Sequence, residues 1–123
     1  MAQTAKAIYL QLADTIMDGI LSGTYQLCAR VPSVREFAAS VEVNANTVMR
    51  AYEYLQQLGV IFNKRGIGYF VAENAPEVIL DNRRELFFHT ETPLFFSRMK
   101  QFGVNPETLR QMYDDFLNQP RND

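Results

Sequence analysis

A chain of 123 residues, 47% hydrophobic and 21% charged, has the balance of a soluble globular protein with room for one domain and an appendage. No run of about 18 apolar residues occurs, so no membrane span and no membrane partner are expected. The formal net charge of −2 is unevenly spread: residues 26–72 hold five bases against three acids, and residues 73–123 six bases against nine acids. A basic middle beside an acidic tail leaves room for a polyanionic partner that the total charge alone disfavours.

The opening residues Met1–Lys6 lack the apolar core of a signal peptide, and Gln11, Asp14 and Asp18 interrupt the apolar residues after them. Cys28 is the single cysteine and cannot close an internal disulfide, which points to the cytoplasm. It is expected to be an inert, partly buried thiol.

Ile8, Leu12, Ile16 and Ile20 recur every four residues and predict a first helix over about Ala5–Leu21, stopped by Ser22-Gly23. Thr24–Val31 reads as a connector with room for a very short strand. Ser33 followed by Glu36 has the spacing of a capping box, starting a second helix with Phe37 and Ala38 on its apolar side. Asn44 gives another start signal, and Val48, Ala51, Tyr52, Leu55 and Leu58 form the stripe of a third helix that ends at Gly59. Two short helices joined tightly are a helix-turn-helix candidate. Val60-Ile61-Phe62 and Tyr69-Phe70-Val71, on either side of a tip holding Lys64, Arg65, Gly66 and Gly68, predict a β-hairpin. Beyond Ala72 a helix is expected from about Glu77, kinked or restarted at Pro93. A last helix comes after it, capped by Asn105 with Pro106 at its first position, and ends near Leu117.

The expected fold is therefore mainly α with a small β-hairpin wing. It comprises a winged helix-turn-helix over residues 1–72 and a helical dimerisation segment over residues 73–123.

On the third helix, Asn46, Thr47 and Arg50 share a face turned largely away from the apolar stripe. Asparagine pairs with adenine, arginine with guanine, and threonine with phosphate or a thymine methyl, so this turn suits the major groove. The same face also reads as simply solvated. Arg35, in the first turn of the second helix, joins a cation to free backbone donors and suits a phosphate, or else forms a surface ion pair. Lys64 and Arg65 at the hairpin tip suit the minor groove or backbone, or else keep a two-stranded turn soluble.

Taken in order, Arg30-Val31-Pro32-Ser33-Val34-Arg35-Glu36-Phe37-Ala38, Val43-Asn44-Ala45-Asn46-Thr47-Val48 and Arg65-Gly66-Ile67-Gly68-Tyr69-Phe70-Val71 resemble the GntR family of bacterial regulators, over about residues 8–71. The resemblance implies a homodimer on a near-palindromic operator of double-stranded DNA, usually a repressor released by a small-molecule effector. It implies DNA contacts from Arg35, from Asn44, Asn46, Thr47 and Arg50, and from Arg65 with Gly66. With Ser33 and Lys64 these complete the expected DNA-facing set. Three positions depart from the family pattern: Met49 replaces the frequent Arg or Gln, Leu27-Cys28 the usual Pro-Gly, and Glu42 the usual glycine of the turn. The short tail, with Asn82-Arg83-Arg84-Glu85 and Pro93, is similar to the YtrA-type branch, whose tails dimerise and whose members often control transporter operons.

Six of the nine phenylalanines lie in residues 73–123. Two helices cannot bury that much apolar area alone, so Leu86, Phe87, Phe88, Phe95, Phe96 and Met99 are expected at a homodimer interface, with an effector pocket as their alternative use. His89 is expected at the surface or interface rather than on a metal. No Gly-rich phosphate loop, paired-carboxylate site or ligand cluster implies an enzyme, a cofactor or a metal. The competing reading is a winged helix that binds only protein; Met49 and Tyr54 lean that way, whereas Arg50, Lys64 and Arg65 oppose it.

Overall fold

The computed structural model describes residues 6–120. Met1–Ala5, on which the signal-peptide reading and the expected start of the first helix partly rest, lie outside the described residues. The chain divides into two compact units, one ending at Arg83 and the other beginning at Arg84.

The first unit opens with α1 (Ile8–Ser22), which buries Leu12, Ala13, Ile16, Met17 and Ile20 on one side, so the four-residue stripe is the core stripe. Ile8, in its first turn, precedes the core and stays exposed. The next helix, α2 (Val34–Val41), begins with the expected capping box. The Ser33 hydroxyl accepts from the Glu36 N–H, and the Glu36 carboxylate accepts from the Ser33 N–H at 2.9 Å. Those two hydrogen bonds, backbone first, hold the Glu36 carboxyl below its ordinary value, helped by the Arg30 charge. Whatever the box adds to stability is therefore complete above the unfolded pKa and is lost as pH falls through the lowered folded one.

Between α2 and α3 (Ala45–Leu58), Glu42 takes a left-handed conformation, φ 55 and ψ 49, and the Val43 N–H reaches back to the Ala38 carbonyl at 3.1 Å. The turn thus keeps its geometry with glutamate where glycine is easiest. Tyr52 of α3 is fully buried. Its hydroxyl donates to the Pro32 carbonyl at 2.7 Å, and its ring lies between Phe37, at 6.2 Å, and Tyr69, edge-on at 5.1 Å. Burial pushes its phenol pKa upward, so the hydroxyl stays a donor.

The hairpin pairs β1 (Ile61–Lys64) with β2 (Gly68–Val71), Ile61 opposite Val71 and Lys64 opposite Gly68. The connector forms a single bridge, Arg30 opposite Phe70, rather than a strand: Val31 N–H donates to the Tyr69 carbonyl and Cys28 N–H to the Val71 carbonyl, each at 2.9 Å. Cys28 departs from expectation. Its thiol is exposed, and its backbone, at a positive φ of 64, is tied to Val71.

The head's core continues past residue 72 into α4 (Ala75–Leu86), whose Ala75 and Ile79 are fully buried with Val60, Ile61 and Val71. Arg83 of α4 lies 2.8 Å from the Asp18 carboxylate of α1. Pro76 takes the second position of α4, where no N–H is missed.

In the second unit a π-helical turn over Phe87–Glu91 leads into α5 (Thr92–Phe102), and α6 (Pro106–Leu117) comes last. The expected disturbance at Pro93 takes this form because the ring would collide with the carbonyl four residues back. Widening the turn avoids the collision, and the Thr92 N–H bonds the Phe87 carbonyl five residues earlier. Asn105 caps α6 through the Thr108 N–H at 2.8 Å. No residue of the π turn, α5 or α6 is buried within the single chain.

A left-handed residue with a Cβ costs roughly 1–2 kcal/mol. Glu42→Gly is therefore expected to raise the denaturation midpoint of the head by an amount equivalent to about 1 kcal/mol, at unchanged slope against denaturant. A fall in midpoint would mean that the Glu42 side chain contributes more than its backbone costs.

Candidate nucleic-acid interface

The α3 helix opens on Asn44, whose side-chain oxygen accepts from the Asn46 N–H at 2.7 Å. That oxygen is committed to the cap, so Asn44 shapes the first turn and retains only its amide N–H groups for another partner. Asn46 and Arg50 are exposed, and Thr47 is half-buried at the edge of the stripe, in keeping with the face inferred from spacing. The free end of an α-helix offers unpaired N–H groups and a partial positive charge, which favours a polyanion there.

Arg50 is not simply extended into solvent. Its guanidinium lies over the ring of Tyr9 in α1, 4.1 Å from the centroid, and Tyr9 meets Tyr54 edge-on at 6.3 Å. Tyr9 is half-buried against the core, and a cation over such a ring gains about 0.5–2 kcal/mol. Tyr9 therefore gives the Arg50 side chain a resting place on α1. Sequence reasoning missed this contact, because nothing local links residue 9 to residue 50.

The N-terminus of α2 presents Arg35 exposed in its first turn, next to the capping box. Ser33 is half-buried, with its oxygen already accepting from Glu36, so its hydroxyl hydrogen is what it can offer outward. Arg30, unassigned in the sequence reading, runs beside the wing. A Cβ built on Gly68 would fall 2.9 Å from the Arg30 Nε.

Along the wing, Arg65 and Gly66 are exposed at the tip, where the Ile67 N–H closes the turn onto the Lys64 carbonyl at 2.9 Å. Lys64 itself ends β1 rather than standing on the tip. Its ammonium lies 4.5 Å from the Phe70 ring centroid, and Phe70 stacks on Phe62 at 5.9 Å. The structure thus brings Ser33 and Arg35, the first turns of α3, and the Arg65–Gly66 tip onto one packed head, with Lys64 drawn back along the strand.

On the second unit, Leu86, Phe87, Phe88, Phe95 and Phe96 are all exposed, at 46 to 56% of their surface, and Met99 is half-buried. Phe87 touches Phe88 at 5.5 Å and Phe95 touches Phe96 at 6.1 Å between centroids, so the rings form pairs on the surface. His89 is exposed, its Nδ1 within 3.3 Å of the Glu85 carboxylate.

Residues 8–71 match the family model of bacterial regulatory proteins, gntR family. The HTH-type transcriptional regulator YhcF of Bacillus subtilis is 35% identical over 107 residues, 87% of each chain. The HTH-type transcriptional repressor YtrA of the same organism is 32% identical over 81 residues, covering 66% of this chain and 62% of YtrA. Among solved structures, a GntR-family regulator from Bacteroides thetaiotaomicron superposes with a TM-score of 0.82 at 50% identity, over 90% of this chain and 96% of that one.

The wing's two glycines should differ in tolerance. Gly66, φ +79, has open space around it, so Gly66→Ala is expected to cost about 1–2 kcal/mol from backbone strain alone. Gly68, φ +142, lies farther from any well open to a side chain, and the Arg30 side chain near it is flexible, so Gly68→Ala should lower the denaturation midpoint further through the backbone. Equal midpoints would show that the backbone at Gly68 relaxes as readily as at Gly66.

Proposed function

The chain belongs to the gntR family of bacterial regulatory proteins and is a DNA-binding transcription regulator rather than an enzyme; from there we propose that it acts in the cytoplasm as a homodimeric repressor on a near-palindromic operator. The first turns of α3 enter the major groove, where Asn46, Thr47 and Arg50 meet base edges and phosphate, with Asn44 holding the turn. Arg35 and Ser33 grip the backbone from the start of α2, and Arg65 with Gly66 does so from the wing, with Lys64 adding charge behind them. The observation that carries this reading is the placement of exposed Arg35, Arg50 and Arg65 on successive elements of one winged helix.

The second unit supplies the partner copy. Fully burying a phenylalanine is worth about 1.5–3 kcal/mol, and Phe87, Phe88, Phe95 and Phe96 are each about half exposed in the single chain. Covering them, with Leu86 and Met99, by the same residues of a second chain makes a self-complementary interface and gives the two-fold symmetry that a palindrome requires. The winged helix over residues 1–72 and the dimerising segment over residues 73–123 are thus separate in task, although the head's core borrows the start of α4. Control of a transporter operon, with release by a small molecule, completes the proposal.

Titration of the full chain into duplexes recovered from a randomised library, against scrambled controls, tests it. Tight binding to the recovered duplexes that weakens steeply between about 50 and 200 mM salt is expected. Arg50→Ala should cost about 1–3 kcal/mol and relax the preference at one position per half-site. Equal binding to scrambled DNA would overturn the reading. By sedimentation at micromolar concentration the chain should be a dimer, and Phe95→Asp with Phe96→Asp a folded monomer; a wild-type monomer contradicts the role given to the second unit.

A further inference from the structure

Met49 is the one large apolar side chain of α3 that stays exposed, at 40% of its surface. An isolated exposed methionine ordinarily needs no explanation. This one lies three residues after Asn46 and next to Arg50, on the wing side of the turns that the proposed function places in the major groove. It is also held: the Tyr69 hydroxyl of β2 lies 3.9 Å from its sulfur, so a side chain with three free torsions is steered from the wing. Its neighbour Arg50 contacts Tyr9 of α1 instead, so the two adjacent side chains are associated with different elements.

The major groove presents hydrogen-bonding groups at every base pair and one apolar group, the 5-methyl of thymine. An apolar side chain among polar ones, steered by one contact from the wing, therefore has one base to match. We propose that Met49 reads thymine by packing against its 5-methyl group, at one position in each half-site. The inference rests on the placement of α3 in the major groove and adds to it the identity of a base. Cytosine at that position would offer the thioether only a bare ring edge and an amino group.

The test uses the full chain and a duplex recovered by selection from a randomised library, resynthesised with deoxyuridine in place of one thymine at a time. Uracil keeps every hydrogen-bonding group and removes only the methyl. At one position per half-site, uracil should weaken wild-type binding roughly four-fold, the worth of one buried methyl. Met49→Ala should bind the thymine and uracil duplexes equally, and Met49→Leu should restore most of the discrimination. The dependence of affinity on salt should not change in either variant, since an apolar contact releases no counterion. If no uracil substitution weakens the wild type, or if Met49→Ala keeps the wild-type sensitivity, the inference is overturned while the placement of α3 stands. A chain that selects no preferred duplex overturns both.

Discussion

The hydrogen bond from the buried Tyr52 hydroxyl to the Pro32 carbonyl is the contact on which the geometry of the head depends. Pro32 lies just before the capping box of α2, so the bond sets where that helix begins relative to α3. The same ring touches Phe37 of α2 and Tyr69 of β2, which brings the wing into the arrangement. A buried polar contact of this kind is worth about 1 kcal/mol net, but leaving the Pro32 carbonyl without it would cost about 1–3 kcal/mol. Its importance lies in position more than in energy. Arg35, the first turns of α3 and the Arg65–Gly66 tip are carried by the three elements that meet at this side chain.

Capping, turns and periodicity explain why so much of the head is legible in the sequence. Ser33 with Glu36, Asn44, Asn105 and Pro106 act over three or four residues, and each of these helix starts lies where local chemistry places it. The four-residue stripe of α1 and the stripe of α3 are buried as their spacing implies, because a winged helix must bury one face of each helix against a small hairpin. The exceptions come from contacts that span the chain. Tyr9 under Arg50, Lys64 over Phe70, Arg30 beside Gly68 and Tyr69 beside Met49 join residues that no window contains together, apart from the strand pair. Cys28 is hidden from the sequence for another reason: neither its positive φ nor its exposure is announced by the residue type.

The second unit obeys a different logic. The break ahead of Pro93 is readable as chemistry, since the ring excludes an ordinary helical hydrogen bond, but a kink, a restart and a π turn are all consistent with it. Its apolar content is equally plain, yet a single chain buries none of the π turn, α5 or α6. The head has a continuous core from Leu12 to Ile79. The second unit has exposed aromatic pairs instead. On the proposed reading, that difference divides recognition from assembly.

One head alone carries modest charge, with exposed Arg30, Arg35, Arg50, Lys64 and Arg65 partly offset by exposed Glu36, Glu42 and Glu53, and should hold DNA weakly. The central claim is therefore that two heads, set by a two-fold axis, read one site together. Hydroxyl-radical footprinting of a library-selected duplex tests this most directly. Two protected segments of equal depth, related by the dyad of the duplex and both lost in a monomeric variant, are predicted; a single asymmetric segment, protected equally by wild type and monomer, would contradict it.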